Sequence, residues 1–320
     1  MASILSESGL RLLTNSTDKR SYYLALLYLL LAAIIWGLSF TIVRWTLESF
    51  STTQLLFWRF LLAFILGEVL LYFFNRKEFK ESFSDAKISI VPGIALGISL
   101  IAQTYGLIYT TATNSGFITS LYVVILPFIA YVFFKHDVKW RHLFLGIFAF
   151  IGMGLMLNLD WMNFSFSRFN KGDLITLIAA FTAAVQILVI SIVSGKIKNS
   201  FRYNTYQSFW TLVSVIPFLF FEMYASNLGI YPQSPSTRSI LSLLALAILV
   251  SLIAFSLQVL AQKKLSATTA SMLCLLEGPF AFVFAAFYLQ EKLNLMQGFG
   301  AFIILLCSFL TIFLDRPKNT

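Results

Sequence analysis

Apolar residues run in long blocks along this chain, and polar residues collect in short intervals between them from residue 22 to residue 314. An α-helix needs about 20 residues to cross about 30 Å of hydrocarbon. On that length the blocks predict ten spans, at 22–43, 52–74, 88–110, 113–134, 142–158, 173–194, 204–225, 239–261, 267–289 and 295–314. The first block exceeds the roughly 7 to 15 residues of a signal-peptide core, so it reads as a retained helix. Backbone polar groups in lipid must be bonded internally, which leaves helices or closed barrels, and blocks of this length select helices. The predicted fold is an all-α membrane protein, and the short intervals leave no room for a soluble catalytic domain.

The blocks also repeat. Sliding the chain by 152 residues superposes Leu121 on Leu273, Pro127 on Pro279, Phe128 on Phe280, Gly146 on Gly298 and Phe150 on Phe302 without a gap. A shift of 147 pairs Leu27 with Leu174 and Ala32 with Ala179. Pro and Gly matches weigh most, because Leu-rich helices match by chance. Ten transmembrane helices thus fall into two five-helix repeats, 22–158 and 173–314. They are joined by an external linker at 159–172 and flanked by cytoplasmic tails at 1–21 and 315–320. Five is odd, so the second repeat enters the membrane inverted, the plan of secondary transporters whose sites lie near the midplane.

Composition sharpens this picture. Only 12% of residues are charged and 58% are hydrophobic, against about 25% charged in soluble domains, so an ordinary soluble domain is excluded. The net charge of +9 would suggest nucleic acid in a soluble chain. Here 17 of the Lys and Arg residues fall on the side of the N-terminus and 5 on the other, with Arg59 inside a span. That is the positive-inside bias. It predicts a multi-pass protein of the cytoplasmic (inner) membrane with both termini cytoplasmic, a lipid partner and no nucleic-acid partner.

Particular residues resemble a known family. Trp36-Gly37 followed by Ser39-Phe40, and Arg59-Phe60 followed by Ala63, are similar to the first half of an EamA-type member of the drug/metabolite transporter superfamily. Gly172-Asp173, Leu276-Glu277-Gly278-Pro279, Glu291 and Gln297-Gly298 are similar to its second half. The resemblance runs from about residue 24 to 314 as two tandem copies. It implies a ten-helix secondary active carrier of a small metabolite, amino-acid-like compound or drug, with export the expected direction. Alternating access would be driven by an ion or exchange gradient, around a cavity lined by spans one, three, four, six, eight and nine. The chain departs from the family at Lys139, which stands where the first half usually has an acidic residue equivalent to Glu291.

Charges within hydrocarbon need a partner, a cavity or a neutral form. Glu277, near the middle of span nine, shares a face with Ala270, Leu273 and Cys274 and has Ile125 as its repeat counterpart. It reads either as a proton-coupling or cation-recognising carboxylate, or as a neutral carboxyl bonded to a carbonyl freed by Pro279. Arg59 reads either as the receptor of an anionic group or as an interhelical or snorkelling arginine. Nine residues separate it from Glu68, which puts the two on opposite helix faces. Trp36, Gln103, Tyr105, Asn114, Tyr122, Gln186 and Gln258 can offer hydrogen bonds or aromatic walls at depth, against packing as the alternative for each. Pro127 and Pro279 are candidate hinges at matched depth.

Other chemistry is weakly supported. His136 and His142 are the only histidines and have no accompanying cluster with metal-ligand spacing, so no metal and no cofactor is expected. No G-x-x-x-x-G-K-[ST] loop is present for direct ATP hydrolysis. A membrane-embedded enzyme would need paired catalytic groups at depth that the spans do not show, and a channel or receptor fits two inverted halves less well than a carrier. Cys274 and Cys307 both lie in apolar blocks and read as packing residues. Five-plus-five spans already supply both halves of a site, so a monomer is expected. Cysteines introduced in the 195–203 interval should label with an impermeant thiol reagent only from the cytoplasmic side. Labelling in intact cells would overturn the topology and the inverted repeat together.

Overall fold

The computed structural model describes residues 19–80, 83–106, 108–110, 112–134, 140–157, 170–289 and 294–316. Nearly all of the expected 159–172 linker, His136, Lys139, Glu291 and the side chain of Asn114 lie outside the described residues. Within them the chain is helical and has no strand. Besides the short helical pieces Arg76–Lys80, Phe83–Ile88 and Ser194–Lys196, the helices are α1 (Lys19–Thr46), α2 (Thr52–Phe74), α3 (Ile90–Gly106), α4 (Ala112–Ser120), α5 (Tyr122–Phe134), α6 (Trp140–Met156) and α7 (Lys171–Val193). Then come α8 (Ser200–Ser226), α9 (Thr237–Ala245), a π-helix (Leu246–Ala254), α10 (Phe255–Gln262), α11 (Ala267–Cys274), α12 (Glu277–Leu289) and α13 (Leu295–Asp315). Among the described residues, eight segments are long and apolar enough to cross a bilayer, with α4–α5, α9–α10 and α11–α12 each counted as one; α3 and α6 are shorter, at 17 residues.

Capping chemistry sets where the helices begin. Ser51 and Gln54 form a capping box at α2, as do Asn170 and Asp173 at α7 and Asn294 and Gln297 at α13. In each, the cap side chain accepts from the third backbone N–H and the third side chain accepts in return, so two donors that the helix leaves open are satisfied. Asp173 and Gln297, two residues of the tandem motifs, are therefore helix-start signals. Gln54 has a second job described below.

Among the described residues the fourth, eighth and ninth expected spans are interrupted within their length, and the third is continuously helical only over Ile90–Gly106. The fourth breaks at Leu121, between α4 and α5, and the ninth at Leu275–Leu276, between α11 and α12, each through i→i−3 turns such as Leu121 N–H to Ile118 O and Leu276 N–H to Leu273 O, both 3.1 Å. Both breaks precede the prolines. Pro127 is the sixth residue of α5, whereas Pro279 lies in the first turn of α12, where a missing N–H costs no helical bond. The eighth span passes through nine residues of π-helix, with no Gly or Pro in LAILVSLIA to announce it.

The helices pair as a matched set. α7 lies along α3 as α1 lies along α9, the π-helix and α10; α12 lies on α1 as α4 and α5 lie on α7; α2 packs on α8, and α6 on α13. Exchanging the two sequence halves maps this pattern onto itself. Small residues permit the closest contacts. A Cβ added to Gly152 would stand 2.9 Å from Gly300 O, and one added to Gly37 would stand 2.7 Å from the Ala281 amide nitrogen. Gly116, Gly146 and Gly298, by contrast, have ordinary space or open space around that position.

Two clamps tie the halves together. Asn199 caps α8 as Ser51 caps α2, and three residues into each helix a long side chain crosses to the other half. Gln54 Nε2 donates to Gly229 O at 2.7 Å, beside Trp58 Nε1 donating to Ile230 O at 2.9 Å. Arg202 Nε donates to Asp85 Oδ2 at 2.6 Å and Nη1 to Glu78 Oε2 at 2.5 Å, with Arg202 0% exposed. The sequence places Arg202 among loop cations; its ion triad buries it instead. Burial raises the Asp85 carboxyl above its ordinary range, and the hydrogen bond from Arg202 acts against that rise. Removing one partner of a buried pair leaves the other charge uncompensated and costs roughly 3 to 5 kcal/mol. Arg202→Met should lower the thermal unfolding midpoint in detergent strongly, and Asp85→Leu added to it should recover part of the loss. An unchanged midpoint in Arg202→Met would show that the triad does not hold the halves.

Candidate functional site

Each break in the long spans puts a polar side chain at a fresh helix start. Tyr122 is the first residue of α5 and Glu277 the first of α12. A helix N-terminus presents unpaired N–H groups and the positive end of the dipole, which favours a carboxylate there. Glu277 is half-buried, and among the described residues no group hydrogen-bonds its carboxylate. The carbonyl that Pro279 would otherwise have used, Leu275 O, accepts from Gly278 N–H at 3.1 Å. That carbonyl is therefore not left free by Pro279.

Around Glu277 the surroundings are soft and aromatic. Tyr122 and Cys274 lie within electrostatic reach of its carboxylate. The methyl ends of Met153 and Met156 stand about 3 Å from where a Cβ on Gly278 would be. Gly37 rests against the Phe280 and Ala281 backbone in the first turns of α12, and the ring of the preceding residue, Trp36, lies 5.3 Å from that of Phe255 in α10. Trp36 is 7% and Tyr122 5% exposed, and neither Trp36 Nε1 nor the Tyr122 hydroxyl has a hydrogen-bond partner. The Tyr122 hydroxyl within electrostatic reach of the unbonded Glu277 carboxylate, with the orphan Trp36 Nε1 on α1, leaves buried polar groups that the fold itself does not satisfy.

The other candidates lie elsewhere. Gln186 and Gln258 bond each other reciprocally across α7 and α10 at 3.4 and 3.3 Å, and both are buried. Gln103 Nε2 donates to Thr119 Oγ1 at 3.3 Å. Tyr105 packs on Phe218 of α8 with centroids 6.2 Å apart, and its hydroxyl has no partner. Glu68 takes a hydrogen bond from Tyr206 of α8, an interhelical role. Arg59 neither snorkels nor bonds a carbonyl. It is 5% exposed and donates from Nε to Ser251 Oγ of the π-helix at 2.8 Å. A groove of about 310 Å³ between Phe64, Lys87, Tyr206 and Trp210 lies apart from both groups.

Sequence reasoning misses the polar seam of α8. Ser200, Asn204, Gln207, Ser208 and Thr211 recur at helical spacing and are all buried. Their 3–4 spacing inside an apolar block is the signal. His142, at the first residue of the expected fifth span, is buried with Nε2 3.0 Å from Asp315 Oδ1.

The model of the EamA-like transporter family matches residues 23–158 and again residues 170–313. An uncharacterized transporter of Archaeoglobus fulgidus is 35% identical over 288 residues, covering 90% of this chain and 85% of that protein. A second uncharacterized transporter of the same organism is 26% identical over 290 residues, covering 89% and 96%. A solved crystal structure at 12% identity superposes with a TM-score of 0.73 over 92% of this chain and 99% of that one, a likeness of fold alone.

Proposed function

The chain belongs to the EamA-like transporter family and is a multi-pass membrane transporter, and from that premise we propose that it is a secondary active carrier of a small metabolite working by alternating access. Ten spans, α3 and α6 included, form two inverted five-helix repeats in the cytoplasmic membrane, with both termini cytoplasmic, export as the direction and the monomer as the working unit. The matched pairing of helices supports the inverted plan, since exchange of the halves preserves it. The observation that carries the mechanism is Glu277, unbonded at the start of a half-helix and within electrostatic reach of the orphan Tyr122 hydroxyl. Intramembrane carboxylates mark ion and proton pathways. In the cycle, Glu277 holds a proton in one access state and releases it in the other.

A metabolite-library thermal-shift screen on the purified protein identifies a substrate, because a ligand that binds the folded state raises its apparent stability. With that substrate in proteoliposomes, Glu277→Gln keeps shape and neutral hydrogen bonding but cannot ionise. It should retain exchange and lose accumulation driven by a pH gradient. Accumulation equal to the parent's would remove the coupling role, and chemical conversion or non-saturating flux would point to an enzyme or a channel.

Pro127 and Pro279 serve in this reading as bends next to the breaks at Leu121 and Leu275–Leu276. Replacing both with Ala should slow exchange several-fold without loss of membrane insertion. An unchanged rate would reduce them to packing residues.

A further inference from the structure

A second polar group, between α2, α8 and the π-helix, has no part in the coupling reaction. Guanidinium carries five N–H donors. Arg59 uses one, at Nε to Ser251 Oγ, and its carbon lies 5.1 Å from the Phe60 ring centre; among the described residues no carboxylate, carbonyl or hydroxyl takes the others. The same fold satisfies Arg202, equally buried, with two carboxylates and a carbonyl. Asn204 adds an acceptor. Its Nδ2 donates to Ser251 O at 2.7 Å, Leu252 O at 3.2 Å and Ser256 Oγ at 3.1 Å, which fixes the amide orientation, and its Oδ1 accepts from nothing. Both residues are thus held by Ser251, in the π-helical stretch, and π-helical geometry is rare and frequent at functional sites.

A buried cation without a counter-charge calls for an anion that arrives from outside the fold. The planar fork of arginine matches a carboxylate through two parallel hydrogen bonds. We propose that Arg59, held by Ser251, receives the carboxylate of the transported substrate, so that the substrate is a small organic acid or amino acid and not a neutral or purely cationic compound. Asn204 Oδ1 suits a hydroxyl or ammonium donor close to that carboxylate. This assignment rests on the chain being a carrier, and it stands whether or not Glu277 moves a proton.

The full chain in detergent micelles is screened by thermal shift against amino acids, 2-hydroxy acids and dicarboxylates, each beside its amide, together with phosphate monoesters. At least one carboxylate should raise the unfolding temperature while its amide does not. Arg59→Lys keeps the charge and loses the fork, and should weaken that binding about tenfold or more. Ser251→Asp places a fixed carboxylate on Arg59; it should raise the unfolding temperature without ligand and abolish the response to carboxylates. Binding is read in micelles without a pH gradient, so failure of coupling and failure of this site are read separately. The assignment is overturned if no carboxylate stabilises the protein, if acid and amide act equally, if only phosphate monoesters act, or if the carboxylate response survives undiminished in Arg59→Lys and Ser251→Asp.

Discussion

A backbone amide in hydrocarbon has no water to bond, and this constraint organises the molecule. It makes every crossing segment a helix and allows departures only where the freed groups are buried in protein. Three such departures occur, at Leu121, at Leu246–Ala254 and at Leu275–Leu276, and each lies where polar chemistry gathers. The first two-sided break starts α5 with Tyr122, the second starts α12 with Glu277, and the π-helix offers Ser251 to Arg59 and to Asn204. Regular helices supply the walls and the polar seam of α8, and the irregularities add Tyr122, Glu277 and Ser251.

Close approach makes those interruptions tolerable. α1 can lie on the broken ninth span because Gly37 has no side chain to strike Phe280, and α6 meets α13 through Gly152 and Gly300. Such contacts matter more in lipid than in water, since apolar burial between helices gains little when the solvent is itself apolar. Packing of small residues and interhelical hydrogen bonds must then hold the halves. The reciprocal Gln186–Gln258 pair and the bonds of Gln262 to Ile187 O and Ser191 Oγ are of this kind.

How much of this was legible in the sequence follows the same physics. Block length and capping residues locate helices well: the span expected at 52–74 is α2 residue for residue, because Ser51 stops the apolar block at one end and Asn75 at the other. The tandem repeat is legible too, through Pro and Gly pairs and then through the family match to both halves. The π-helix is not, because hydropathy has no period that separates π from α in a uniformly apolar run. Nor is the burial of Arg202. An arginine at the edge of an apolar block reads as a loop cation until the partners, 117 and 124 residues away in sequence, are in place. For the candidate site, residue type marks Trp36, Tyr122 and Glu277 as polar at depth, but only the fold separates them from Gln186 and Gln258, which satisfy each other.

The two halves share a scaffold and differ in what it carries. At matching places after the caps, Gln54 makes a neutral bond to a carbonyl where Arg202 makes an ion triad; at the two breaks, Tyr122 faces Glu277. Two chemically identical halves in an inverted pair would give inward and outward states of equal energy and mirrored site chemistry. Differences in the clamps shift that balance, because a conformational equilibrium moves only as far as the interactions in its two states differ. The break-site residues decide what can bind and what can ionise. In the proposed alternating-access cycle the repeated scaffold would supply the two states, and its unmatched polar side chains would make one of them preferred.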